Sequence, residues 1–408
     1  MRFAHSAPLL HNVELPMSTQ TIALDAAGRQ RYLLTLLFAG FVLTGLEITL
    51  AGPLLPMFIQ RWSLTDSQAG VFFTVQFSGS LGGVWLASWL THSFGARVPL
   101  LLGYFLMAVG LATVNAPVMT VTLCALAALG LGYGLVVPPT NLGVAQIGGA
   151  RSASLVSLVN FAWGAGAVSC SPLVLLALKN GWLSQFLYVF AAFGALLTFC
   201  FFFAEFPEPP REEPRPSAPM GTSVASAATI VLAALFFLYV GIETSLGSWA
   251  AAYVKRLSGG GSSIATMAPM FFYGGLMAGR ALAPVVLAHM REFRLVVCAL
   301  LVVLSGNTLV VLSEQRYAAF LCFAVAGIGC ATIFPVFVAW LSRWYGHRAS
   351  RVGGLMFSMT SLGSAGVPSF VGLVSSHAGG LRVGLLVPLL SSAVMLLLLL
   401  VVRRQAAA

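Results

Sequence analysis

Gly45-Leu46-Glu47-Ile48-Thr49-Leu50-Ala51 decides how this chain reads, because Gly241-Ile242-Glu243-Thr244-Ser245-Leu246-Gly247 echoes it 196 residues later. Each stretch lies within an apolar run, and each holds one carboxyl. Other matches keep nearly the same offset. Gly79 and Gly83 correspond to Gly275 and Gly279. Gly130-Leu131-Gly132 with Pro138 corresponds to Gly327-Ile328-Gly329 with Pro335. Gly164, Gly166 and Pro172 correspond to Gly363, Gly366 and Pro368. Four matches in one order define an internal two-fold repeat.

The composition says what is repeated. Of 408 residues, 59% are hydrophobic and 8% charged. Soluble domains carry about 25% charged residues, so an ordinary soluble enzyme is excluded. Such high hydrophobicity also excludes disorder. A membrane-crossing helix needs roughly 20 apolar residues. Twelve apolar segments are predicted, near 32–59, 68–91, 98–115, 119–147, 152–178, 182–204, 225–253, 264–288, 294–313, 317–345, 350–376 and 382–402. The fold class is therefore an all-α polytopic membrane protein of two pseudo-symmetric six-helix bundles. Residues 1–31 read as a loose N-terminal tail without a signal peptide's apolar core. The first bundle is predicted at 32–204, a linker at 205–224, the second bundle at 225–402 and a short tail at 403–408. The linker contains EFPEPPREEPRPSAP, whose prolines and charges keep it solvated.

With an even helix number both termini share one side. Fourteen of the 21 Lys and Arg fall on that side and six on the other, with Arg280 inside a helix. The positive-inside bias puts the termini and linker in the cytoplasm, across an inner membrane. The net charge of +10 then reflects loops rather than nucleic-acid binding. The six cysteines lie in apolar stretches without CxxC spacing, so neither a disulfide nor a metal site is expected.

Repeat-built bundles of this kind bind substrate near the bilayer midplane and expose it to each side in turn. Of eleven acids, nine fall in the tail or loops, and Glu47 and Glu243 lie deep in helices. Arg280 is the one base at that depth. An ionisable group at the bilayer centre costs at least ~2.5–3.5 kcal/mol, and such groups mark substrate or proton routes. Glu47 and Glu243 lie roughly 15–18 Å below the surface opposite the termini, and Arg280 roughly 24 Å below it. Arg280 can therefore reach Glu243 as a conformation-sensitive pair, leaving Glu47 without a cation and suited to carry a proton. A static Glu243–Arg280 strut and a Glu47 bonded to a helix hydroxyl are the structural alternatives.

Gln76, Asn141, Asn160, Trp163 and Trp249, with Tyr133 and Tyr273, lie at similar depth and are candidate substrate ligands. Asn and Gln offer donor and acceptor together, and Trp a broad flat face for a sugar ring. The amides read equally as helix-to-helix glue, and Trp249 as part of an interfacial belt.

These residues make the chain resemble the major facilitator superfamily along nearly its whole length. That family's Asp-Arg-x-Gly-Arg turn after helix 2 stands here as Thr91-His92-Ser93-Phe94-Gly95-Ala96-Arg97, with the acid missing. The chain is most similar to the fucose–proton symporter and sodium-dependent glucose carrier branch. The stretches that carry this are Gly52-Pro53-Leu54-Leu55-Pro56, Gly274-Gly275-Leu276-Met277-Ala278-Gly279-Arg280, Gly327-Ile328-Gly329 through Phe334-Pro335, and Ser361-Leu362-Gly363. The proton-carrying acids of that branch would align near Gly52 and Leu135, so coupling here would use Glu47 and Glu243 instead. The resemblance implies a monomeric secondary transporter, without enzymatic activity or cofactor, that imports a neutral hexose-like sugar with protons. Sodium-coupled sugar uptake and proton-coupled export of amphipathic metabolites or drugs are the alternatives. The other partners are the coupling ion and the lipid bilayer, with no metal and no nucleic acid.

Overall fold

The computed structural model describes residues 17–206, 227–260, 263–287, 289–345 and 349–406. Most of the proline-rich linker and residues 1–16 lie outside that range. Among the described residues the structure is helical, without a strand. The first half comprises α1 (Met17–Thr49), α2 (Ala51–Trp62), α3 (Asp66–Phe94), α4 (Arg97–Thr113), α5 (Met119–Gly148), α6 (Ser152–Lys179) and α7 (Leu183–Phe202). The second comprises α8 (Ala227–Leu257), α9 (Ala268–Leu287), α10 (Glu292–Leu312), α11 (Arg316–Cys330), α12 (Ile333–Tyr345), α13 (Ala349–His377), α14 (Leu381–Gly384) and α15 (Leu386–Ala406). Ten helical runs are long and apolar enough to cross a membrane. The shorter α4 and the 20-residue α9 complete the twelve segments read from the sequence.

Two expectations change. The segment at 32–59 is not one uninterrupted helix, and its helical start lies upstream at Met17 rather than at residue 32. The run from Met17 is rich in Ala, Leu, Gln and Arg, strong helix formers, so residues 17–31 are helix rather than loose tail. The helix is then interrupted at Leu50. Pro53 has no N–H to donate to the Thr49 carbonyl, and the Leu50 amide bonds the Glu47 carbonyl at 3.1 Å. The segment at 317–345 is interrupted likewise, between Cys330 and Ile333, ahead of Pro335. Both interruptions fall near the ionisable residues, yet Leu50 (φ −60°, ψ −36°) and Ala331 (φ −55°, ψ −42°) keep α-helical backbone, so each is a local bend within a continuous helical run.

The repeated glycines perform matched tasks. Gly130 lets α5 press on the backbone of α3 at Gln76, and Gly327 lets α11 press on α9 at Phe272. Gly166 meets α1 at Val42, and Gly363 meets α8 at Phe237. Such small-residue contacts replace the hydrophobic drive that lipid cannot supply. A Cβ at Gly130 would overlap the Gln76 carbonyl. Gly130→Val is therefore expected to cost about 1–3 kcal/mol through overpacking, read as a lower unfolding temperature of the detergent-purified protein. An unchanged unfolding temperature would contradict the close approach.

The halves meet through α3 against α13, α2 against α8 and α6 against α9. Described hydrogen bonds across this seam gather at the face opposite the termini. There Arg256 forks onto Asp66, one branch at 2.7 Å, and the Ser375 hydroxyl also donates to Asp66. The Ser67 amide donates to Ser376 Oγ at 2.8 Å, Thr74 bonds Ser369, and Lys255 reaches Gln60 Oε1 at 3.2 Å. Nearer the terminal face, Trp85 Nε1 donates to Ser358 Oγ at 3.1 Å. The structure is therefore closed opposite the termini. The degraded turn after α3 bends at Gly95, in left-handed backbone with φ of 80°. With no acid to hold, Arg97 donates instead to the Ala204 carbonyl just beyond α7, at 3.1 Å through Nε.

Candidate functional site

The ionisable residues come together at the seam, contributed by both halves. Glu243, Glu47 and Arg280 all lie within electrostatic range of the Tyr133 phenol of α5. The Tyr273 phenol of α9 is in electrostatic reach of Glu243, Cys170 and Tyr133. The Trp163 ring of α6 stands edge-on to Tyr273, 6.4 Å between centroids, and the Arg280 guanidinium lies 6.0 Å from the Trp163 centroid. Gly45 allows α1 to lie against the Trp163 backbone, and Gly247 allows α8 to lie against the Tyr273 ring. Helix spacing and small residues thus aim Glu47, Tyr133, Trp163, Glu243, Tyr273 and Arg280 into one neighbourhood.

The two repeat-related carboxyls differ. Glu47 is fully buried (0% exposed), and neither of its oxygens has a hydrogen-bond partner. Glu243 is half-buried and accepts from the Tyr239 hydroxyl, which also lies 2.9 Å from the Cys330 carbonyl. The expected Glu243–Arg280 ion pair is not formed. The ion pairs among the described residues are Arg29–Glu205, Arg256–Asp66 and Arg343–Glu292. Tyr239, one turn before Glu243 on the same helix face, takes Glu243 Oε2, while Arg280 Nε is buried without a partner.

The polar ligand candidates divide. Gln76 is buried beside Glu47: its Nε2 donates to the Ile48 carbonyl at 3.3 Å, and its Oε1 is unpartnered. Asn160 Nδ2 donates to Asn141 Oδ1 at 3.0 Å, and both amides also bond carbonyls of their own helices. That pair joins α6 to α5 toward the terminal face. Trp249 is not part of the cluster. It is fully buried near the closed face, its Nε1 donates to the Pro368 carbonyl at 2.9 Å, and its ring packs on Phe73. Belt and ligand readings both fail for it in this conformation, because α3 and α13 close over the indole.

Tyr239, Asp66, Arg256 and Ser375 escaped the sequence reading. The i, i+4 spacing of Tyr239 and Glu243 was a usable signal. Asp66 and Arg256 sit at helix ends 190 residues apart, and no local pattern links them. Tyr239→Phe removes the hydroxyl that Glu243 Oε2 and the Cys330 carbonyl share. It is expected to cost about 1–3 kcal/mol and to lower the unfolding temperature accordingly, an outcome that differential scanning fluorimetry checks.

Interrupted helices meeting at a mid-membrane cluster of charge and aromatic rings, between pseudo-symmetric halves, define a protein of the secondary-transport class. Residues 37–320 match the family model described as Major Facilitator Superfamily, and the chain belongs to that family. It is a multi-pass membrane transporter, not an enzyme. A sodium-dependent glucose transporter 1 of Danio rerio is 27% identical over 140 residues, 34% of this chain and 23% of that protein. The chain thus spans about a quarter of the length of that curated relative. Among solved structures, a bacterial homolog of the human lysosomal transporter Spinster, in an inward-facing unoccupied conformation, superposes with TM-score 0.73 at 16% identity, covering 92% of this chain and 97% of that one. The fucose:proton symporter FucP of E. coli superposes with TM-score 0.60 at 17% identity, covering 90% and 97%. At these identities the structures share the fold.

Proposed function

We propose that this chain carries a neutral, hexose-like sugar together with a proton by alternating access, with Glu47 as the proton site. The carrying observation is Glu47 itself: a fully buried carboxyl of α1 with no donor on either oxygen and no cation in contact. In apolar packing an ionised carboxylate without partners is costly, and the neutral acid is the form such a site tolerates. Opening the seam hydrates the group and lets the proton leave. A half-buried Trp163 beside Tyr273 offers the platform for an apolar ring face, and Gln76, Tyr133, Asn141 and Asn160 supply hydrogen-bonding groups. The printed names of FucP and of the Danio rerio relative support a sugar. The arginine bias toward the terminal side supports termini in the cytoplasm of an inner membrane, and nothing in the arrangement requires a second copy.

Purified protein in liposomes tests this directly. Labelled hexose should accumulate when a pH gradient is imposed and should not when the gradient is collapsed. Accumulation that follows sodium rather than pH would transfer Glu47 to a sodium site. Hexose that never moves, with amphipathic dyes moving against the proton gradient, would replace the proposal with export.

A further inference from the structure

Arg280 is the group the sugar–proton reading does not use. It stands on α9 at the central cluster, half-buried, with Nε sealed and unbonded. Glu243 is held by Tyr239, and Glu47 has no contact with any cation. A guanidinium presents five donors in a planar fork and stays charged at all working pH values. Left unspent in a site of low dielectric, those donors match an oxyanion, and on a sugar a carboxylate accepts two of them side by side. The same guanidinium lies over the Trp163 ring, 6.0 Å from its centroid, so the fork and the stacking platform adjoin.

A second observation stands outside the site. On the closed face, between α2 and α8, a depression of about 500 Å³ is lined by Gln60, Lys255 and Arg256 among apolar residues, with no acid in its wall. It lies directly beside the seam that must part for entry. Arg256 is neutralised there by Asp66, so Lys255 supplies the net positive charge that attracts an anion to this mouth.

We infer that the central site also accepts a sugar carrying one carboxylate, of the hexuronate or aldonate class, with Arg280 as its counter-ion and Trp163 under its carbon skeleton. The inference rests on the sugar reading above and adds the charge. Its transport consequence follows from charge conservation. A neutral sugar with one proton carries one positive charge across the membrane. A sugar carboxylate with one proton carries none.

The test uses the wild-type protein in liposomes, with glucose as the neutral probe and glucuronate and gluconate as the acids. The acids should inhibit glucose uptake competitively and should themselves be taken up down an imposed pH gradient. A potassium diffusion potential, negative inside, should speed glucose uptake several-fold and leave acid uptake unchanged. Arg280→Gln should raise the KM for glucuronate at least tenfold relative to any change in the KM for glucose, with Arg280→Lys intermediate because it keeps the charge and loses the fork. Glucose uptake that neither acid inhibits would overturn the inference and leave the sugar reading standing. So would equal KM changes for both substrates in Arg280→Gln. If neither glucose nor the acids move, both readings fall together.

Discussion

Glu47→Gln is expected to abolish concentrative uptake while leaving exchange intact. Under an imposed gradient of one pH unit, worth about 1.4 kcal/mol, a carrier moving one proton per sugar concentrates its substrate about tenfold. With glutamine at 47 there is no titratable group on the buried turn of α1, and the inside and outside concentrations should simply equalise. Exchange of labelled for unlabelled sugar needs no proton and should persist. Stability separates this from misfolding. The native carboxyl has no partner to lose, so the substitution should leave the unfolding temperature unchanged or raise it, since an unsatisfied acid is replaced by a neutral amide of the same shape. Glu243→Gln provides the contrast. Glu243 holds a Tyr239 hydrogen bond, so its replacement should reduce stability by exchanging a carboxyl acceptor for a weaker amide oxygen. A Glu47→Gln protein that still concentrates sugar tenfold on a pH gradient would remove Glu47 from the mechanism.

The second large effect is expected at the closed face. Asp66 is 8% exposed at the first turn of α3, and it receives both branches of the Arg256 fork and the Ser375 hydroxyl. Both partners come from the other half. Thr65 caps the same helix and bonds Gln68 reciprocally, which fixes the aspartate's position. Hydrogen bonds to a charged group contribute about 1.5–3 kcal/mol each. Arg256 is 42% exposed, so solvent screens part of the pair. Asp66→Asn is then expected to weaken closure by about 2 kcal/mol, which lowers the closed-to-open ratio about thirtyfold. Spin labels at Pro117→Cys and Glu314→Cys, on exposed loops of opposite halves at this face, would report the change. The two exposed native cysteines, Cys124 and Cys298, are replaced by serine beforehand. The distance distribution should gain a longer component in Asp66→Asn and in Arg256→Gln. Identical distributions with and without the aspartate would mean that the other contacts here, the Ser67–Ser376, Thr74–Ser369 and Lys255–Gln60 hydrogen bonds and the packing around Trp249 and Phe73, hold this face shut.

The contrast between these two experiments reflects what could be read from residues alone. Glu47 and Glu243 stood out because charge in an apolar run is costly wherever the chain goes, and their match at one offset tied them to the two-fold repeat. The glycines that flank them were legible for the same reason: a missing side chain in a membrane helix implies a close neighbour. The sequence set the two acids apart but gave Glu243 a different partner from the one it has. Tyr239 bonds Glu243 while no donor reaches the buried Glu47, and the Glu243–Arg280 pairing anticipated from depth alone gave way to that nearer hydroxyl. Trp249 had the right depth for a ligand, yet the packing of α3 on α13 seals it into the closed face.

Sequence alone established the twelve apolar segments, the doubled bundle, the side on which positive charge gathers and the two acids that the membrane would not tolerate without purpose. These are properties of single helices against lipid, set by local composition and period. Tertiary structure decided which face is shut, that Asp66 and Arg256 pair across it, and that one acid is bonded while the other has no donor. Those outcomes turn on contacts of a few ångströms between helices far apart in the chain, and hydrogen bonds at that range are invisible to any pattern along it.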